Sequence, residues 1–270
     1  MCRRPACSRF CLPFLLAWAV AILLGGCGTN PAERIAGEHR FAAETVTGDP
    51  FVHRVFRNGR PGQVLHVYIE GDGRPWRTRN RVALDPTPDN PLMLELMALD
   101  SAPALYLGRP CYFGVADEHC SPIWWTDRRY AEAVVASLNQ VIERYAGDHA
   151  GIILIGHSGG GALAMLLAQR RTDVLAVVTL AGNLDTGAWA ARHGYTPLSG
   201  SLNPAEQPPL GSGIRQLHLV GARDEVITPA MLESALAGRP RAELRVIPAA
   251  DHSCCWRDVW PAVLAELGAE

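Results

Sequence analysis

The sequence predicts an α/β domain in which a mostly parallel β-sheet is covered by helices on both faces. Short apolar segments alternate with longer segments of helical periodicity, which is typical of parallel strands joined by crossover helices. Several short segments are apolar throughout, such as "AGIILIG" at 150–156 and "VLAVVTLAG" at 174–182, as expected for strands buried on both faces. With 270 residues, of which 48% are hydrophobic, the chain is long enough to bury a substantial core in one domain.

The individual elements follow from the same patterns. The run "VLHVYIEGDG" at 64–73 is predicted to be a strand that enters a glycine-rich loop. Residues 127–146 carry apolar side chains at helical spacing, with Thr126 or Asp127 as the N-cap. The other predicted strands are 51–57, 103–108, 214–224 and 242–252, and the other predicted helices begin at Leu92, after Gly159, at Pro229 and at Trp256.

The first 26 residues have the features of a secretory signal peptide. Arg3, Arg4 and Arg9 form a basic n-region, and an apolar h-region follows that is too short for a typical membrane span. The stretch "LGGC", which ends at Cys27, resembles the lipobox of bacterial lipoproteins. That resemblance implies cleavage before Cys27 and a lipid attached to its sulfur. The alternative is an uncleaved anchor helix with an incidental cysteine.

The lipobox resemblance also implies a location and a domain organisation. A lipid on Cys27 would tether the protein to the membrane of the bacterial cell envelope, facing the periplasm. Glycine at position 28, by analogy with lipoprotein sorting, favours the outer membrane if the host is Gram-negative. The predicted organisation is a signal peptide at 1–26, a lipidated tether at 27–50 and a folded domain at 51–270, with a cap or lid at 183–213.

The cysteines of the folded domain fit an oxidising compartment. Cys111 and Cys120 close a short loop, and we predict a disulfide between them. Cys254 and Cys255 are adjacent and could form a vicinal disulfide or remain two thiols. The sequence therefore predicts one disulfide and leaves the state of the second pair open.

Two classes of ligand receive no support from the sequence. No CxxC-type spacing of metal ligands is present, so we predict no metal site. The formal net charge is −2, and acids and bases are interspersed without a basic stripe. This argues against a nucleic-acid partner. The small-molecule or acyl substrate that we expect depends on the predicted catalytic residues and not on the charge.

The stretch "GHSGG" at 156–160 matches G-x-S-x-G between a predicted strand and a predicted helix. In that context the turn is so sharp that its flanking positions tolerate almost no side chain, and the serine hydroxyl projects above the sheet. Ser158 is therefore the predicted nucleophile. The N–H of Gly159, at the start of the helix, is a predicted oxyanion donor. We expect His157 to pack or to form a hydrogen bond rather than to act as a second base.

A serine nucleophile needs a base, and the base needs an orienting acid. His252 follows the last predicted strand, where the loop reaches the carboxyl edge of the sheet, so it is the predicted base. His218 lies inside an apolar strand and His193 lies in the insertion, which favours other roles for both. Asp224 ends the preceding strand and is the predicted acid, with Asp185 as its rival.

The oxyanion site needs a second N–H donor from the loop after an early strand. The stretch "IEGDG" at 69–73 supplies glycines that let the backbone approach a substrate closely. The predicted donor is the N–H of Gly71 or of Asp72.

These motifs resemble the α/β-hydrolase superfamily over residues 50–268, and more closely a group of exported bacterial α/β hydrolases. The stretches that carry the resemblance are "YIEGDGRPW", "LDPTPDNP", "YLGRPC", "WWTDRRYAEAVV", "GHSGGGALA", "AGNLDTGAW", "SLNP" and "ADHSCCW". The resemblance implies an eight-stranded sheet and a Ser–His–Asp hydrolase that needs no cofactor. The lipase-type H-G-G-G loop is absent, and Glu70-Gly71-Asp72-Gly73 stands in its place.

Two classes of function follow. The first is a serine hydrolase of the cell envelope, of the carboxylic ester hydrolase type, that acts on an ester, thioester or amide through an acyl-enzyme. The second is a lipid-anchored binding or scaffold protein that keeps the fold without turnover. The complete set of Ser158, His252 and Asp224 favours the first.

Overall fold

The computed structural model describes residues 30–115, 117–239 and 241–268. The predicted signal peptide and the predicted lipid on Cys27 lie outside these ranges and stay predictions. Within the described part of the chain, no helix is both long and apolar enough to cross a membrane.

The strands are β1 (Ala42–Thr47), β2 (Val52–Arg57), β3 (Val64–Ile69), β4 (Trp76–Thr78), β5 (Arg81–Val82), β6 (Ala104–Leu107), β7 (Gly151–His157), β8 (Val174–Leu180), β9 (Arg215–Gly221) and β10 (Ala242–Ile247). The helices are α1 (Pro31–His39), α2 (Leu92–Met97), α3 (Glu132–Ala146), α4 (Gly159–Ala168), α5 (Thr186–His193), α6 (Pro229–Leu236) and α7 (Trp256–Leu267). Short 3₁₀ turns lie at Pro122–Trp125 and Pro204–Glu206.

Eight strands form one sheet in the order β1-β2-β6-β3-β7-β8-β9-β10, and β4 and β5 form a separate hairpin. Strand β2 is antiparallel to both of its neighbours, and the pairings from β6 to β10 are all parallel. The predicted mostly parallel sheet is therefore confirmed. Because the parallel strands end at one edge, the loops that follow β3, β7, β9 and β10 meet there.

The core lies on both faces of the central strands. All seven residues of β7 are buried. Since successive side chains of a strand point to opposite faces, both faces of β7 must be covered. Helix α4, in which every residue is buried, packs on β7 and β8. Helix α7 contributes Trp256 and Trp260, which have no exposed surface.

The folded domain begins earlier than the predicted boundary at residue 51, so the prediction of a tether at 27–50 is wrong for most of that segment. Helix α1 begins with Pro31 and is capped by the Asn30 side chain, whose Oδ1 accepts a hydrogen bond from the backbone N–H of Ala32 at 3.0 Å. Its apolar face is buried against the core through Ala32, Ile35 and Ala36. Strand β1 then pairs antiparallel with β2 and forms one edge of the sheet.

The insertion between β8 and β9 packs beside the carboxyl edge of the sheet. It contains α5 and the second 3₁₀ turn. The backbone N–H of Leu202 donates to the carbonyl of Tyr130 (3.1 Å), and the Ser201 hydroxyl donates to the carbonyl of Asp127 (2.6 Å). These bonds attach the insertion to the segment before α3. Its role as a cap or lid stays a prediction.

Both cysteine pairs in the described ranges are disulfides. Cys111 and Cys120 are bonded with their Cα atoms 5.6 Å apart, as predicted. Cys254 and Cys255 form a vicinal disulfide, which resolves the alternative that the sequence left open. The second disulfide lies in the turn between β10 and α7, directly after His252.

Candidate active site

The turn from β7 to α4 holds Ser158 in a strained conformation. Its φ of 51° and ψ of −119° lie in a region that residues other than glycine rarely adopt. The residues around Ser158 are glycines because neighbouring backbone atoms leave no room for side chains. A Cβ on Gly156 would lie 2.2 Å from the carbonyl oxygen of Gly160, and one on Gly160 would lie 2.2 Å from that of Ile69. This is the packing that the G-x-S-x-G spacing predicts.

Three side chains from three loops form a continuous hydrogen-bonded chain at this edge. Nε2 of His252 lies 3.1 Å from Oγ of Ser158, and Nδ1 of His252 lies 2.9 Å from Oδ2 of Asp224. A carboxylate only accepts hydrogen bonds, so Nδ1 carries the proton and Nε2 is free to accept from the serine hydroxyl. The geometry brings together the three residues that the sequence predicts.

The two ends of this chain differ in exposure. The Asp224 side chain is fully buried, whereas the His252 side chain is 20% exposed. The other carboxylate oxygen of Asp224, Oδ1, accepts the backbone N–H groups of Val226 and Ile227, each at 2.8 Å. The acid is therefore fixed by its own loop, and the imidazole stands between it and the solvent-accessible serine.

His157 holds the loop that carries His252. Nε2 of His157 lies 2.7 Å from the carbonyl oxygen of His252, and Trp256 donates its indole N–H to the same oxygen at 3.2 Å. Since a carbonyl only accepts, Nε2 of His157 carries a proton. Burial first, and then the neighbouring His252, lower the pKa of His157 to about 4, so the ring is neutral. The expectation of a hydrogen-bonding role rather than a second base matches this geometry.

The rival residues lie elsewhere. Asp185 caps α5, because its carboxylate accepts two N–H groups of the first turn and the amide of Asn203. His218 is buried with Nδ1 at 2.8 Å from the hydroxyl of Thr179. His193 lies in α5 with Nε2 on a backbone carbonyl of the loop after β9. None of the three contacts Ser158.

The loop after β3 lies against the nucleophile turn. A Cβ on Gly71 would lie 3.4 Å from Cβ of Ser158. Gly159 is the first residue of α4, and the first N–H groups of a helix have no partner within it. The backbones of both segments therefore lie close to Ser158, and the assignment of their N–H groups as oxyanion donors stays a prediction.

Sequence reasoning missed the charged residues around Asp72. Arg109 and Arg129 are almost completely buried and both donate to the Asp72 carboxylate. Glu70, next to this loop, is also buried, and burial raises its pKa to about 7. Arg109 lies two residues after the end of β6, and Asp72 lies three residues after the end of the parallel neighbour β3, so the shared sheet edge was the available signal. In the described ranges, no group of three or more His, Cys, Asp or Glu side chains is arranged to hold a metal ion.

No protein-family model matches the chain, and no curated protein matches its sequence. Solved structures do match. An esterase of Pyrococcus furiosus superposes with a TM-score of 0.59 at 13% identity, covering 87% of this chain and 93% of the esterase. A serine hydrolase involved in carbazole degradation gives a TM-score of 0.58 at 14% identity, covering 85% of this chain and 100% of the other.

A third similar structure is an alpha-beta serine hydrolase homologue from Coxiella burnetii. Its TM-score is 0.56 at 14% identity, and the match covers 84% of this chain and 97% of the homologue. At these identities a likeness establishes the fold and no more. The chain therefore has the α/β-hydrolase fold, as its sequence motifs predict.

Proposed function

We propose that the protein is a serine-dependent hydrolase of the carboxylic ester hydrolase type, acting on an ester, thioester or amide through an acyl-enzyme. The observation that carries this proposal is the chain from Ser158 to His252 to Asp224, with distances of 3.1 Å and 2.9 Å, built on a strained strand-to-helix turn. The esterase and serine hydrolases that share the fold support the same class of chemistry. No cofactor enters the reaction.

Each residue has a defined part in the proposed reaction. Oγ of Ser158 attacks the acyl carbon while its proton passes to Nε2 of His252. The tetrahedral oxyanion is bound by the N–H of Gly159 and by an N–H of the 71–72 loop. Collapse breaks the bond to the alcohol, thiol or amine, which leaves with the proton from Nε2.

Deacylation repeats these steps with water as the nucleophile. Water attacks the acyl-serine carbon and gives a proton to Nε2 of His252, and the carboxylic acid then leaves as that proton returns to Oγ. Asp224 keeps Nδ1 protonated throughout and stabilises the imidazolium that forms in both halves of the cycle. The buried, doubly anchored carboxylate suits this role because it cannot turn away from the ring.

The proposal is tested by covalent labelling with a fluorophosphonate probe and by mapping the labelled peptide. We expect an adduct on Ser158 in the wild type and none in Ser158→Ala or His252→Ala. Ser253→Ala is the matched control, since Ser253 is an exposed serine of the same loop cluster and its loss should leave labelling unchanged. A folded wild type that neither labels nor hydrolyses acyl esters would instead support the lipid-anchored binding or scaffold protein.

We also propose that the protein is tethered through a lipid on Cys27 to the membrane of the bacterial cell envelope, facing the periplasm. The two disulfides support an oxidising compartment, where such bonds persist. Cys27→Ala should abolish both lipidation and cleavage before residue 27, seen as the loss of the lipid mass and the retention of residues 1–26, whereas Cys11→Ala, within the signal peptide, should leave both unchanged. An unlipidated Cys27 in the mature protein, seen by mass spectrometry, would contradict the tether.

A further inference from the structure

The carboxylate of Asp72 is bound by three hydrogen-bond donors. Oδ1 accepts from Nη1 of Arg109 at 2.5 Å and from the hydroxyl of Tyr130 at 2.8 Å. Oδ2 accepts from Nη1 of Arg129 at 2.8 Å, and it lies 2.7 Å from the same Tyr130 hydroxyl, whose single proton is shared between the two carboxylate oxygens. Burial alone would raise the pKa of Asp72, but the charges of Arg129 and Arg109 outweigh it and hold that pKa well below its usual range. Asp72 is therefore ionised at any physiological pH.

The backbone of Asp72 is held as firmly as its side chain. The hydroxyl of Tyr112 donates to its carbonyl oxygen at 2.9 Å. The preceding N–H, of Gly71, donates to Oε1 of Glu70 at 3.3 Å, and Glu70 is itself anchored by the N–H of Met93. Among the described residues, the N–H of Asp72 has no partner. Of the two donors that the sequence left open, only this one is unoccupied.

The enclosed carboxylate also contacts the first turn of α4. A Cβ built on Gly159 would lie 2.1 Å from Oδ1 of Asp72 and 2.4 Å from the hydroxyl of Tyr130. The carboxylate therefore fills the space that a side chain at position 159 would take. This contact joins the loop after β3 to Gly159, whose N–H is the other proposed oxyanion donor.

We propose that the side chain of Asp72 positions the oxyanion site. Its carboxylate, held by Arg109, Arg129 and Tyr130, fixes the peptide of Asp72 so that its N–H faces the reacting carbonyl beside the N–H of Gly159. We call these four residues the Asp72 clamp. The inference rests on the proposed hydrolase function and adds the second donor and the side chains that aim it.

The clamp could act by geometry or by charge, and the two predict opposite results. Two arginines and one carboxylate leave the clamp with a formal charge of +1 next to the site where an oxyanion would develop. Asp72→Asn raises that charge to +2. Attraction alone would then speed acylation, whereas loss of a fixed donor would slow it, because an oxyanion donor works only when it is preorganised.

The test compares wild type with Asp72→Asn in hydrolysis of a p-nitrophenyl ester and in the rate of fluorophosphonate labelling. We expect kcat and the labelling rate to fall roughly 10- to 100-fold while KM changes less than about threefold, as for a displaced oxyanion donor. The matched control is Asp173→Asn, which also breaks an ion pair between a carboxylate and a buried arginine, here Arg171. Asp173 precedes β8, so it lies at the opposite edge of the sheet from Ser158. The kcat of Asp173→Asn should equal that of wild type.

Two milder variants keep the proposal testable if Asp72→Asn does not fold. Tyr130→Phe removes hydrogen bonds to the carboxylate, and Tyr112→Phe removes the bond to the Asp72 carbonyl. Each should lower kcat at unchanged KM with the charge of the clamp preserved. Folded variants with wild-type kcat and labelling rate, or a faster Asp72→Asn, would overturn the clamp alone. A wild type that does not label would overturn the hydrolase proposal with it.

Discussion

Replacing Asp224 with asparagine is the strongest test of the proton relay, because the structure dictates how the new amide must sit. Oδ1 of Asp224 accepts the N–H groups of Val226 and Ile227, so the amide oxygen must take that position. The amide NH₂ then faces Nδ1 of His252, which can no longer donate and must accept. The proton moves to Nε2, and Ser158 loses its base.

The expected loss in kcat is about 10⁴-fold, which corresponds to about 5.5 kcal/mol of transition-state stabilisation. Stability should change far less, because both backbone N–H groups keep an acceptor. Replacing a charge-assisted bond with a neutral one costs about 1–2 kcal/mol in the free energy of unfolding. The variant should therefore be folded at 25 °C and nearly inactive, a combination that general destabilisation does not produce.

The assay is ester hydrolysis by purified protein, together with fluorophosphonate labelling and thermal unfolding of the same samples. Asp185→Asn is the matched control, since that carboxylate caps α5 and does not contact His252. It should retain activity within about threefold, and because asparagine caps a helix about as well as aspartate, its free energy of unfolding should change by less than about 1 kcal/mol. An active Asp224→Asn beside an inactive Asp185→Asn would refute the assignment of the acid.

Three further predictions concern stability. Reducing the Cys111–Cys120 disulfide, or replacing both cysteines with serine, should lower the free energy of unfolding by about 2–3 kcal/mol in the chain-entropy model. Urea titration measures this, and an unchanged midpoint of unfolding would contradict it. Gly160→Ala should prevent or severely weaken folding, since its Cβ would lie 2.2 Å from the backbone oxygen of Ile69; a stable, active variant would show that the turn can move. Stability should also fall steeply below pH 6.5, because burial lowers the pKa of three histidines well below the unfolded value of 6.5, and unfolding takes up protons there. These residues are His53 (pKa about 4), His157 (about 4) and His218 (about 3). The pKa of Glu70 is raised to about 7, so Glu70 releases about one proton on unfolding at pH 5–6 and offsets the uptake by one histidine. Unfolding at pH 5–6 should therefore take up about two protons. A free energy of unfolding that does not change from pH 7 to pH 4.5 would contradict this.

The elements that could be predicted from the sequence are those whose local pattern matches their burial. Strand β7 is apolar at nearly every position because both of its faces are covered, and the glycines around Ser158 mark a turn where backbone atoms nearly touch. His252 and Asp224 could be placed because each follows a parallel strand, and such strands end at one edge. Chain order and strand direction were enough to bring them together.

The prediction was wrong for two segments, β1 and α1, whose local sequence pattern does not reveal their place in the fold. Strand β1 reads "AAETVT", and only Val46 among its residues is buried, because it lies at the edge of the sheet. An edge strand with one buried side chain looks like a polar tether. Helix α1 is short and carries only a narrow apolar face, so its contact with the core depends on tertiary packing that local sequence does not encode.

The loop after β3 carries two acids, Asp72 and Glu70, and the charge that they bring to the site depends on residues far away in the sequence. An unpaired carboxylate about 4 Å from a developing oxyanion would cost roughly 4 kcal/mol at an effective dielectric constant of about 20, enough to suppress an esterase. Asp72 avoids this because residues 37 and 57 positions away place two guanidinium groups on it and reverse the local charge. Glu70 avoids it differently, since burial raises its pKa to about 7 and its oxygens accept the N–H groups of Gly71 and Met93. The loop thus keeps two acids where the lipase-type loop has none, while Asp72 and its two arginines sum to a formal charge of +1 and the N–H of Asp72 has no partner among the described residues.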